Sequence, residues 1–164
     1  MKMKRMFQIT LLLGSSLIAS QAMAQGGPNA ATTAGPVWRI TYVKIKPGKG
    51  ADYTKWMREY RTRVLAEQKS AGLILDYKYF TKPTGDNSPG DWDQAEAVMY
   101  RNYGEALDSN AERGAKVQAI RLKVFGSAEN ATKVQTELRN ASSELVSSHL
   151  VREMTYNPVR PAGQ

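Results

Sequence analysis

Hydrophobic and polar positions along this chain change period several times, and each change marks an element. Val37 to Lys46 (VWRITYVKIK) is dense in Val, Ile, Thr, Tyr and Trp with only modest alternation. That pattern predicts a strand covered at least in part on both faces. Pro47-Gly48 ends it, and Asp52 then stands near a helix start, where a carboxylate meets free amides and the helix dipole. Tyr53, Trp56, Met57, Tyr60 and Val64 recur at helical spacing until Gly72 stops the run. Leu73 to Lys82 predicts a second strand, closed by Pro83, and the turn-rich stretch from Pro83 to Asp91 joins it to a third, Trp92 to Tyr103. Gly104 opens a helical region reaching about Ser148, broken near Phe125-Gly126, with Ser127 placed to cap the restart. In that second piece Ala131, Val134, Leu138, Ala141 and Leu145 make one apolar stripe. His149 to Asn157 predicts a fourth strand.

The order is β-α-β-β-α-β, the ferredoxin-like or split-βαβ arrangement, an α+β fold. Right-handed crossovers put both helices on one face of a four-stranded antiparallel sheet. The other face is left bare. Its expected residues are Trp38 or Tyr42, Tyr77 or Tyr79, and Tyr100 or Met99, since the weak alternation does not set the phase of each strand. A bare apolar face of that size is a liability in a monomer, so a homodimer packed sheet to sheet is expected.

The segments YVKIKPGKGADY, LILDYKYF after a Gly-stopped helix, and KVFGS followed by a helix and LVREM resemble the dimeric α/β-barrel superfamily. Within it, the chain is similar to exported bacterial proteins of unknown function. The resemblance runs from Val37 to about Tyr156. It implies a pocket between the sheet and the helices of each subunit. The superfamily includes cofactor-free monooxygenases, haem-degrading enzymes, haem peroxidases, chlorite dismutases, stress-response proteins and members with no known reaction. A shared fold does not carry a function across such a range.

Ahead of the domain, Met1 to Ala24 has Lys2, Lys4 and Arg5, a short apolar run from Phe7 to Ile18, and an Ala22-Met23-Ala24 ending. This is the layout of a cleaved export signal, and the run is too short for a spanning helix. Residues 25–35 are small, polar and Gly/Pro-containing and read as a flexible leader to a domain over 36–157; residues 158–164 read as a tail. The mature protein is therefore expected in the periplasm or outside the cell, with no membrane span. The whole chain carries 23 basic and 15 acidic residues, net +8, and loss of the three signal-borne cations leaves a mature charge of +5. Those charges are scattered and form no aromatic-studded basic stripe, so no nucleic-acid partner is expected. The chain has no cysteine, which excludes disulfides, thiol catalysis and a lipoprotein anchor.

Little in the sequence points to chemistry. His149, the only histidine, is able in principle to act as a base or an axial haem ligand. It falls at a helix–strand boundary and reads more simply as a boundary histidine. The haem-degrading branch uses an Asn/Trp/His set, and Asn102 and Trp92 do not stand in matching positions. Asp86, Asp91 and Asp93 lack the spacing, glycine and glutamate of a calcium loop and read as turn residues, so no metal and no cofactor are expected. The aromatic set Trp38, Tyr42, Trp56, Tyr60, Tyr77, Tyr79 and Tyr100 serves either as core and interface or as the lining of an apolar pocket with hydroxyl handles. Together with His149 these are the candidate ligand-binding residues; no catalytic residue is assigned. Arg39, Asp76, Glu96, Arg152 and Glu153 lie inside predicted strands, where a charge must be paired, solvent-facing or functional. Two readings result: an exported homodimer of unknown activity that holds a small apolar or aromatic ligand or acts as an interaction module, or a cofactor-independent monooxygenase acting on an aromatic or quinone-like substrate. Haem binding through His149 is a weaker third.

Overall fold

In the computed structural model, which describes residues 31–83, 91–107 and 110–159, four strands form one sheet. They are β1 (Thr32–Ile45), β2 (Asp76–Thr81), β3 (Gln94–Tyr100) and β4 (Ser143–Tyr156), in the spatial order β2-β3-β1-β4 and antiparallel throughout. The two long strands lie side by side, paired from Thr32 opposite Tyr156 to Ile45 opposite Ser143. β3 covers only the middle of β1, from Val37 opposite Tyr100 to Val43 opposite Gln94. The predicted ferredoxin-like fold is the observed one.

Between β1 and β2 runs one continuous helical stretch: α1 (Gly50–Trp56), a π-helical segment (Met57–Arg61) and α2 (Thr62–Ser70). Gly72 ends it with φ of 67°, a conformation that favours glycine, as the sequence predicts. After β3 come α3 (Tyr103–Leu107), α4 (Ala111–Phe125), α5 (Ala128–Val134) and a second π-helical segment (Gln135–Asn140). Asn110 caps α4 by accepting from the Arg113 amide, and Ser127 caps α5 by accepting from the Asn130 amide at 3.1 Å. No helix among the described residues is long and apolar enough to cross a membrane.

The core lies where the helices meet each other and the sheet. Val64, Val124, Phe125, Ala131 and Val134 form one buried cluster between helices, with Tyr60 and Leu138 packed against it. Leu65, Ile74 and Val98 form a second between α2 and the sheet, flanked by Tyr77, Tyr79 and Tyr100. Leu65 is 1 % exposed, and a leucine so buried contributes about 2 kcal/mol.

Two strand starts differ most from the sequence reading. β1 starts at Thr32, not after Gly35, because Thr32 to Ala34 find partners in Tyr156, Thr155 and Met154. β4 starts at Ser143, not His149, because residues from Ser143 onward pair with the C-terminal half of β1. Leu145 therefore leaves the expected helical stripe and stands on β4, 59 % exposed. The predicted export signal, most of the predicted leader, the stretch over 84–90 and the end of the predicted tail lie outside the described residues.

Strand phase is now fixed. Arg39, Thr41 and Val43 on β1, Glu96, Val98 and Tyr100 on β3, and Tyr77 and Tyr79 on β2 face the helices. Residues one step along each strand face away: Trp38, Ile40 and Tyr42, then Ala95, Ala97 and Met99, then Lys78 and Phe80. Trp38 and Tyr42 thus share the open face, whereas Tyr77, Tyr79 and Tyr100 do not belong to it. No helix covers that face among the described residues.

Candidate functional site

The covered face of the sheet and the two π-helical segments enclose a cleft of about 320 Å³. Strand periodicity sends Arg39, Thr41 and Val43 into it from β1, and Glu96, Val98 and Tyr100 from β3. Tyr53 and Trp56 enter from α1, and Arg61 from the first π segment. Gln135 and Arg139 enter from the second. π-Helical turns occur mostly as isolated insertions and often at functional sites. Here both of them border the same cavity. Trp56, Arg61 and Gln135 also wall a smaller hollow of about 200 Å³, which continues between α2 and α4 to Arg121 and Phe125. Two larger hollows, of about 450 and 700 Å³, lie elsewhere on the surface and have no aromatic wall.

Arg61 and Glu96 form the central polar contact. The Arg61 Nε donates to Glu96 Oε2 at 2.7 Å and its second nitrogen donates to the other carboxylate oxygen, a two-point pairing that fixes both planes. Burial opposes the Arg61 charge most strongly, but the hydrogen bonds and charge of Glu96 outweigh it and hold the guanidinium above its ordinary value. Burial, followed by the Glu96 charge, pushes the Tyr53 phenol up to about 12. Tyr79 shares a hydrogen bond of 3.2 Å with Thr62; burial raises its phenol to about 12, against the lowering effect of that bond. Both phenols are therefore protonated donors at neutral pH.

The remaining two arginines of the cleft are held by rings. Arg39 lies 5.4 Å from the Tyr100 ring centre and donates to the Ala106 carbonyl oxygen. Arg139 lies 5.9 Å from the ring centre of Trp56. Its main-chain oxygen accepts from Ser142 and Ser143, while its guanidinium meets no carboxylate among the described residues.

Of the sequence-predicted residues, the cleft brings together Trp56 and Tyr100. Tyr60 stacks on Phe125 with ring centres 5.0 Å apart and belongs to the helix core. Tyr77 and Tyr79 meet edge to face at 5.8 Å beside the cleft. Trp38, Tyr42 and His149 lie across the sheet. There the Trp38 indole donates to Glu153 and carries Lys78 over its ring, while Tyr42 contacts Trp92 and the exposed His149. Asp76 pairs with Lys69, whereas Arg152 rests on the Tyr103 ring and its buried Nε meets no hydrogen-bond partner among the described residues. Asp91 pairs with Lys44 and Asp93 accepts from the Ile45 amide; Asp86 lies outside the described residues. Among the described residues no group of three His, Asp or Glu side chains is placed to hold a metal. Tyr53, Arg61, Gln135 and Arg139 were not anticipated as cleft residues. Only Arg39 and Glu96 carried a signal, as charges inside strands.

No family model matches the chain, and no curated protein matches it in sequence. Solved structures do match in architecture. A nipsnap family protein of unknown function from Agrobacterium tumefaciens is 15 % identical, with a TM-score of 0.44 over 77 % of this chain and 95 % of that one. HapK from Hahella chejuensis is 10 % identical, with a TM-score of 0.40 over 76 % and 99 %. A dimeric protein of unknown function and ferredoxin-like fold from Bacteroides fragilis is 13 % identical, with a TM-score of 0.38 over 75 % and 97 %. The likeness is one of fold alone.

Proposed function

We propose that this is an exported, homodimeric binding protein that holds a small aromatic or apolar molecule in the cleft between sheet and helices. The observation that carries the reading is the cleft's composition. Trp56, Tyr53 and Tyr100 supply aromatic walls and Val43 and Val98 an apolar floor, while Thr41, Gln135, Glu96 and three arginines supply the polar groups. Small-molecule sites have this character, and a volume of 320 Å³ is near the lower end of the usual range of about 300–1,000 Å³. The monooxygenase alternative has less support. Cofactor-free attack on oxygen calls for a base that ionises the substrate. The one carboxylate in the wall, Glu96, is engaged by Arg61, and the Tyr53 phenol keeps its proton.

Native mass spectrometry of the protein recovered from the periplasm tests the proposal. The expected spectrum is a dimer, truncated near Ala24, that carries a small-molecule adduct lost in Trp56→Leu. An adduct-free protein whose tryptophan fluorescence ignores a panel of small aromatic compounds would overturn the binding reading.

A further inference from the structure

We infer that the molecule taken by this cleft is an anion, an aryl carboxylate, and that Arg139 is the residue that anchors it. The inference rests on the binding reading above and adds the charge of the ligand to it. Three guanidinium groups line the cleft, those of Arg39, Arg61 and Arg139, against the single carboxylate of Glu96. Arg61 and Glu96 satisfy each other through two parallel hydrogen bonds. Arg39 gives one nitrogen to the Ala106 carbonyl oxygen and rests on Tyr100. Arg139 alone is half-buried with no acceptor for its guanidinium among the described residues. The Gln135 side chain, its neighbour on the same π segment, donates through its amide nitrogen to Asn140, and no hydrogen bond joins it to that guanidinium.

A second donor stands in the same cleft. Tyr53 is 3 % exposed, its hydroxyl has no hydrogen-bond partner among the described residues, and the Arg139 charge is felt at its phenol. A guanidinium and a phenol that each lack a bonded acceptor among the described residues suit a ligand that brings one. A neutral molecule would leave the Arg139 charge uncompensated in partial burial, and a cation would be repelled. A carboxylate matches the planar fork of a guanidinium with two parallel bonds. The Trp56 ring, its centre 5.9 Å from Arg139, and the neighbouring Tyr53 ring then supply aromatic surface beside that pairing for contact with a flat ring attached to the carboxylate.

The test is titration calorimetry of the purified protein with 2-naphthoate and its neutral counterpart 2-naphthalenemethanol at fixed ionic strength, with circular dichroism to verify folding of each variant. The acid is expected to bind at least about tenfold tighter than the alcohol, since a charge-assisted pair is worth that much. Arg139→Gln should weaken the acid by about tenfold and leave the alcohol unchanged, whereas Trp56→Leu should weaken both. Equal binding of acid and alcohol, or an Arg139→Gln protein that holds the acid as well as wild type, overturns the anion inference and leaves the pocket reading in place. Binding of neither probe by the wild-type protein overturns both.

Discussion

Tyr53 is almost out of water, yet its hydroxyl belongs to a cavity wall, and this ties the site to stability at high pH. An unfolded tyrosine ionises near pH 10, whereas burial pushes the folded Tyr53 up to about 12. The folded state therefore favours the protonated phenol. The contribution is fully present below about pH 10 and is lost as pH rises from about 10 to about 12, where the unfolded chain gives up its proton first. Tyr79 acts in the same direction. Urea-unfolding midpoints measured across this range should fall for wild type and fall less steeply for Tyr53→Phe, with the Tyr79 share remaining. An identical slope in both proteins would mean that Tyr53 is not held neutral by its surroundings. The sequence exposed Tyr53 only as one member of a helical stripe. Arg61 and Arg139 carried no signal at all, because a charged helix residue ordinarily faces solvent. Glu96 and Arg39 were visible because a charge inside a strand must be paired, solvent-facing or functional, and both found partners.

Local chemistry was most readable at the ends of elements. Pro47-Gly48, Gly72, Gly126 and Ser127 punctuate the chain where their backbone preferences predict. Ser127→Ala removes the acceptor for the Asn130 amide and should lower stability by about 1 kcal/mol, seen as a reduced urea midpoint at unchanged slope. The start of β4 was misread for the opposite reason. The stretch Glu144-Leu145-Val146-Ser147-Ser148 is compatible with either helix or strand, and pairing with β1 decides between them. The same long-range pairing drew Thr32 to Ala34 into β1 from a stretch that locally looks like linker. Neither π segment was legible, since its cause is an extra residue per turn that the apolar spacing does not report.

For the whole molecule, the layer arrangement was legible and the phase of the strands was not. A one-residue slip exchanges the two faces of a strand, and VWRITYVKIK alternates too weakly to prevent that ambiguity. The consequence is that the predicted aromatic set divides: Trp56 and Tyr100 line the cleft, while Trp38 and Tyr42 stand on the open face. That open face also presents Phe80 and Val151, 48 % and 43 % exposed. The size of this apolar surface is the argument for a second copy packed against it. Sedimentation or light scattering at micromolar concentration should give a dimer for wild type and a monomer for Val151→Glu, whose carboxylate would be buried unpaired at such an interface. A monodisperse wild-type monomer would remove the dimer proposal.

The two π segments also set where the helices breathe. A π turn interrupts the regular i to i−4 ladder, so the amides of Met57–Arg61 and Gln135–Asn140 are held less cooperatively than those of α2 and α4. Hydrogen–deuterium exchange followed by mass spectrometry should find these two peptides exchanging ahead of their helical neighbours. A molecule seated in the cleft touches both segments at once. It should slow exchange in the two together, so a pair of peptides far apart in the chain becomes a reporter of occupancy that requires no knowledge of the ligand's identity.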